Sequence, residues 1–221
     1  MKTIPIAVSL LSLIAAAPVR ATATVSDPTG DFLPSFAGPA SSDLDVTSFS
    51  VSLDPSATTF SIGAVLAGDI DPALAGFYVI GVDTGTGSIK PFASIGEPNV
   101  VFNQVIVVQK NGTATVGSTS LMTLLSGNQF IVSVPVSLLP STGFSPADFG
   151  FNIWPRVGAT LTNNSQISDF APNNALMSVN GILSAVPEPA SWLSMLLGFG
   201  LIGGAMRRRG NRGRTALIQI A

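Results

Sequence analysis

The sequence predicts an all-β chain, an antiparallel β-sandwich of jelly-roll or Ig-like type. Two observations carry that expectation. Short apolar runs rich in β-branched and aromatic residues recur between Gly, Pro, Asn and Asp turn signals. Between the two ends, no long window repeats its apolar residues every 3.6 positions, so the crossover helices of a parallel sheet are missing.

The strands follow in order. Val46 to Leu53 (VTSFSVSL) is apolar at 49, 51 and 53, while Val46 falls on the other parity; a bulge near Thr47-Ser48 reconciles them. Asp54-Pro-Ser reads as a turn. Thr59 to Leu66 sets Phe60, Ile62 and Ala64 against small residues. Phe77 to Asp83 is apolar on both faces, as a central strand is. Val100 to Val108 is the strongest β run, and Lys110-Asn111-Gly112 turns it back into Thr113 to Val116. Gln129 to Val136 alternates cleanly. Ser145-Pro-Ala-Asp148 reads as a turn, and Phe149 to Trp154 as the last clear strand. Residues 171–186 read as a spacer, with Ile182-Leu183 able to add an edge strand.

Composition limits the chemistry. Cysteine and histidine are absent, which removes disulfides, Ser-His-Asp and Cys-His catalysis, and most zinc sites. Five of the ten basic residues lie beyond position 206, and residues 24–186 hold three basic against eleven acidic residues, a net of −8. A nucleic-acid partner would need clustered Lys and Arg, so that class is excluded.

Both ends read as export signals. Met1-Lys2, the apolar stretch Ile4 to Ala17 and the small-x-small Ala21-Thr22-Ala23 form a signal peptide over 1–23, with the cut placed after Ala23. At the other end, Pro187-Glu188-Pro189 precedes an uncharged apolar run, Ala190 to Met206. As a helix its length is about 25 Å against a hydrocarbon core of about 30 Å, enough for a thin bilayer. Trp192 suits the headgroup level, and Arg207, Arg208 and Arg209 stop the helix on the cytoplasmic side.

Val186 to Trp192, the Gly-rich stretch Gly198 to Gly204 and Met206 to Arg209 together resemble the PEP-CTERM sorting signal of Gram-negative bacteria, over about residues 185–209. The resemblance implies that an exosortase, a membrane-embedded cysteine transpeptidase, recognises Pro187, Glu188 and Pro189. That enzyme would cut there and pass the protein from the inner membrane to the cell surface or extracellular polysaccharide. The expected organisation is a signal peptide (1–23), a sandwich domain (24–170), a spacer (171–186) and a sorting signal (187–214). Residues 215–221 form a tail without an assigned role.

Two sites are expected within the domain. Asp27, Asp31, Asp43 and Asp45 open it, and acidic loops of this kind either converge on calcium or simply form turns. The same opening resembles that of some exported β-sandwich modules, carbohydrate-binding-like ones among them. Strand alternation sets Phe149, Phe151 and Ile153 against Asn152, Trp154 and Arg156. Trp154 is then either an exposed ring that stacks on a sugar beside Arg156 or a cover over the sandwich edge. The function expected is that of a non-enzymatic exported surface or matrix protein. The alternative is a module binding extracellular polysaccharide, with calcium as its one candidate cofactor.

Overall fold

The computed structural model describes residues 21–183 apart from 57, 87–90 and 159–162. The sorting signal, its membrane segment and most of the signal peptide lie outside the described residues. Among the described residues no helix is long and apolar enough to cross a membrane.

The domain is all-β and antiparallel. Its strands are β1 (Ala21–Ser26), β2 (Val46–Asp54), β3 (Thr59–Leu66), β4 (Gly76–Asp83), β5 (Gln104–Gln109) and β6 (Ala114–Val116), then β7 (Thr119–Ser126), β8 (Gln129–Pro135), β9 (Gly150–Val157), β10 (Leu176–Ser178) and β11 (Gly181–Leu183). They form one 11-stranded ribbon in the order β1-β2-β3-β8-β7-β6-β5-β4-β9-β10-β11. β7 joins its halves: Thr119 to Leu121 pair with β6, and Met122 to Ser126 pair with β8.

The ribbon folds over so that its halves face each other. Phe60 of β3 lies 5.0 Å from Phe151 of β9, and Tyr78 of β4 lies 5.1 Å from Phe130 of β8, centroid to centroid. Between them lies the main core, with Phe49, Val51, Ile62, Val132, Ile80, Ile106 and Ile153 fully buried. Strand alternation sends these residues to one face, and burial of such side chains is the main source of stability in a chain without disulfides.

Several expected elements appear as drawn. The ladder between β2 and β3 shifts register between Val46 and Ser48, where the parity of the apolar residues calls for a bulge. The Lys110-Asn111-Gly112 turn closes with Gly112 N–H donating to Gln109 O at 3.0 Å. Residues 171–186, expected as a spacer, are corrected as far as 183. Ala171, Leu176, Met177 and Val179 are buried, β10 pairs with β9, and β11 is the edge strand. Ala171, Met177 and Val179 belong to the main core.

The expected signal-peptide cut after Ala23 falls inside β1. Ala21, Thr22 and Ala23 pair with Leu53, Ser52 and Val51, so that cut would leave β1 only Thr24 to Ser26.

Candidate functional site

Three of the four opening aspartates converge. β1 and β2 are antiparallel neighbours with Ser26 opposite Ser48, so the residues flanking them meet at one end of the sheet. Asp27 follows β1 and donates its N–H to Thr47 O at 3.0 Å, while Asp45 immediately precedes β2. The turn Asp27-Pro-Thr-Gly-Asp31 brings Asp31 back beside Asp27. Gly30 makes this possible at φ 84°, a left-handed conformation that glycine adopts without strain. Its N–H donates to Asp45 Oδ2 at 2.7 Å.

A fourth carboxylate arrives from the far end of the chain. Residues 167–171 run back along β9, bridging Arg156 to Ile167 and Ile153 to Ala171. Asp169 sits on that return, almost fully buried, and its two oxygens accept N–H groups from Val46 (2.8 Å) and Phe170 (2.7 Å). One carboxylate oxygen each of Asp27, Asp31 and Asp169 lies within 4.8 Å of the others. Asn173 Nδ2 donates to Asp31 Oδ2 at 3.0 Å and reaches Asp27 Oδ1 at 3.4 Å. Three buried oxygens around the cluster have no hydrogen-bond partner: Asp27 Oδ2, Asp31 Oδ1 and Asp45 Oδ1.

Burial and mutual repulsion push these acids up. Asp169 is raised to about 8, by burial first and then by Asp27 and Asp31 against the two N–H donors. Asp27 is raised to about 7, by burial first, then Asp31, Asp45 and Glu97. Asp45 is raised by burial and Asp31, against the Gly30 N–H. Burial also raises Glu97, which accepts the N–H of Asn174. The sign of the linkage follows. Folded Asp27 and Asp169 hold protons that the unfolded chain releases near pH 4, so their contribution is complete below that pH and is lost as pH rises through 7 to 8. Chemical denaturation in chelator should show a less stable protein at pH 8.5 than at pH 5. A profile flat across that interval would mean that the two carboxylates titrate normally.

Asp43, expected in this cluster, is placed elsewhere. It lies in the 3-10 turn Ser42–Leu44, whereas Asp45 is the extended residue that ends the turn (φ −118°, ψ 110°), so the two side chains leave different backbone conformations and diverge. Its Oδ2 meets Lys110 Nζ at 2.5 Å and accepts Asp71 N–H at 3.1 Å, with both members of the ion pair buried. Asp71, a polar turn residue, also accepts Ala73 N–H at 2.8 Å, as a turn former does.

Trp154 is not an exposed platform: it retains 2% exposure. Its face of the sheet is roofed by Leu33, Phe92, Ile95, Val100, Phe102, Ile167 and Phe170, which with Phe77 and Val79 make a second apolar cluster. Phe92 meets the indole edge-on at 5.0 Å and Phe102 lies at 5.1 Å. Room for the indole comes from Gly81, where a Cβ would stand 2.6 Å from the ring. A cleft of about 500 Å³ remains between Trp154, Arg156, Phe92, Phe102, Val79 and Asn164. Trp154 Nε1 and Arg156 Nε are buried there without acceptors, and burial lowers the Arg156 pKa. The signal for the roof was in β4. A strand apolar on both faces needs cover on both, and β4 pairs Val79 with Trp154 and Phe77 with Arg156.

Comparison with curated proteins and with solved structures gives no significant match. The comparison with family models gives one: residues 185–209 match the PEP-CTERM protein-sorting motif, so the chain carries that sorting motif near its C-terminus.

Proposed function

We propose that this is a non-enzymatic structural protein of the cell surface or extracellular matrix of a Gram-negative bacterium. The single observation that carries the export and sorting in this reading is the motif at residues 185–209. In this reading the signal peptide at 1–23 exports the chain, and Ala190 to Met206 holds the precursor in the inner membrane. Arg207, Arg208 and Arg209 keep the stop on the cytoplasmic side, and exosortase acts at Pro187-Glu188-Pro189. The prolines suit that role, since neither fits a helix interior and both keep Glu188 extended and accessible. The exported part supports it too. Its net charge of −8 keeps copies apart in solution, and a chain without His or Cys lacks the usual nucleophile and base pairs.

Co-expression with an exosortase tests this. Intact-mass analysis of the released protein should show loss of the residues that follow the motif, and Glu188→Ala should leave the chain full-length in the membrane fraction. Recovery of released wild-type chain with Arg207–Arg209 still attached would overturn the reading.

A second reading, a module for extracellular polysaccharide, is favoured by the cleft beside Trp154 and Arg156. It has the aromatic lining and the few convergent polar groups of a small-ligand site, and its volume falls in the usual range of about 300–1,000 Å³.

A further inference from the structure

We propose that Asp27, Asp31, Asp45 and Asp169 together hold one calcium ion, which ties the loop after β1 to the segment that follows β9. The inference is independent of how the chain is sorted. It rests on two observations. One is the convergence of Asp27, Asp31 and Asp169 within 4.8 Å from positions up to 142 residues apart. The other is Asp45, which is 3% exposed and is held against the same loop through Gly30 N–H, with its second oxygen buried and unpartnered beside Asp27 and Asp31.

A buried carboxylate oxygen without a partner is costly, and Asp27, Asp31 and Asp45 each carry one. Among the described residues no basic side chain pairs with them. Lys110 is committed to Asp43, and Arg156 donates to the Asn163 carbonyl. Asn173 supplies one amide to two of the carboxylates, which leaves Asp27 Oδ2, Asp31 Oδ1 and Asp45 Oδ1 still unsatisfied. A divalent cation among Asp27, Asp31 and Asp169 would offset the repulsion between them, with Asp45 held against the same loop as a further oxygen donor.

The donor set selects the ion. It is all oxygen, with neither nitrogen nor sulfur, and it combines carboxylates with loop backbone able to add carbonyls and water. That suits the six to eight oxygens of calcium. Rotating the Asn173 amide about its terminal bond would exchange Nδ2 for Oδ1 and add a neutral oxygen donor. Asp169 is already oriented by two backbone N–H groups, so it acts as a fixed ligand onto which the 27–31 turn closes. Bound there, the ion secures the start of β2 and the return along β9 at once.

Differential scanning calorimetry of the full chain in detergent, with calcium chloride or EDTA, tests the site. Calcium at ten times its dissociation constant should shift the unfolding equilibrium about elevenfold, or roughly 3–5 °C for a domain of this size. Calorimetric titration should give one ion per chain. Asp31→Asn and Asp45→Asn should each weaken binding at least tenfold, and the exposed Asp69→Asn should leave it unchanged. Asp31 is half-exposed and carries little of the fold, so its variant remains informative if Asp45→Asn fails to fold. Three results would overturn the proposal: an unchanged melting temperature with no binding heat at millimolar calcium, an equal shift from sodium chloride at matched ionic strength, or full binding by Asp31→Asn.

Discussion

Replacing Asp43 by alanine should cost the fold about 3–5 kcal/mol, the usual consequence of removing one member of a buried ion pair. The reason is local. Lys110 Nζ loses its carboxylate at 2.5 Å in a site where its own side chain is 3% exposed. Asp71 N–H loses an acceptor at the same time. Against a total of about 5–15 kcal/mol for a typical domain, such a loss brings the protein close to unfolding at 37 °C. The double variant Asp43→Leu, Lys110→Met should recover most of it, because an apolar pair of similar volume needs no counter-charge. Chemical denaturation of wild type, both single variants and the double variant measures the coupling. If Asp43→Ala unfolds at the wild-type midpoint, the pair is solvated and contributes nothing.

That pair also shows where sequence reading stops. Lys110 opens a Lys-Asn-Gly turn, a place where lysines are normally solvated, and nothing nearby in sequence signals that its stem crosses over Gly76 to reach Asp43. Asp43 and Asp45 look equivalent because they are two residues apart. Their separation into an ion pair and an acidic cluster is set by one 3-10 turn. Asp27, Asp31 and Asp45 were legible as a group because a glycine-containing turn and an adjacent strand start hold them together. Asp169 was not, because its place in the cluster depends on a pairing with β9 that no local pattern encodes.

The strands divide in the same way. β3 matches its expected bounds because its alternation is clean. β7 escaped because it has apolar residues on both faces, with Met122 and Leu124 at 80% and 73% exposure opposite the half-buried Leu121 and Leu125. β1 escaped because Ala-Thr-Ala-Thr is as good a leader end as it is an edge strand. In the Val100 to Val108 run, only Gln104 onward joins a strand. Val100 and Phe102 instead turn into the roof over Trp154, and Asn103 holds the loop through Thr84 N–H at 3.0 Å.

Trp154→Ala should cost about 3–5 kcal/mol, as removal of a large buried aromatic does. The indole fills the space over Gly81 and meets Phe92, Phe102 and Phe170, and each aromatic contact is worth about 0.5–1.5 kcal/mol beyond the area it buries. Trp154→Phe keeps most of those contacts and should cost much less. Emission supplies an independent check. In a chain cut before Trp192, as the proposed sorting would leave it, Trp154 is the one tryptophan left, and at 2% exposure it should emit to the blue and resist iodide quenching. The two readings of the domain part here. If the indole is a structural keystone, Trp154→Phe should fold and bind glycans on an array no differently from wild type. If the cleft takes a sugar, a glycan should shift the Trp154 emission, and Arg156→Lys, which keeps the charge but loses the planar fork, should weaken that binding at least tenfold. Red-shifted, freely quenched emission from the processed protein would contradict the roof itself, and with it both accounts of this face.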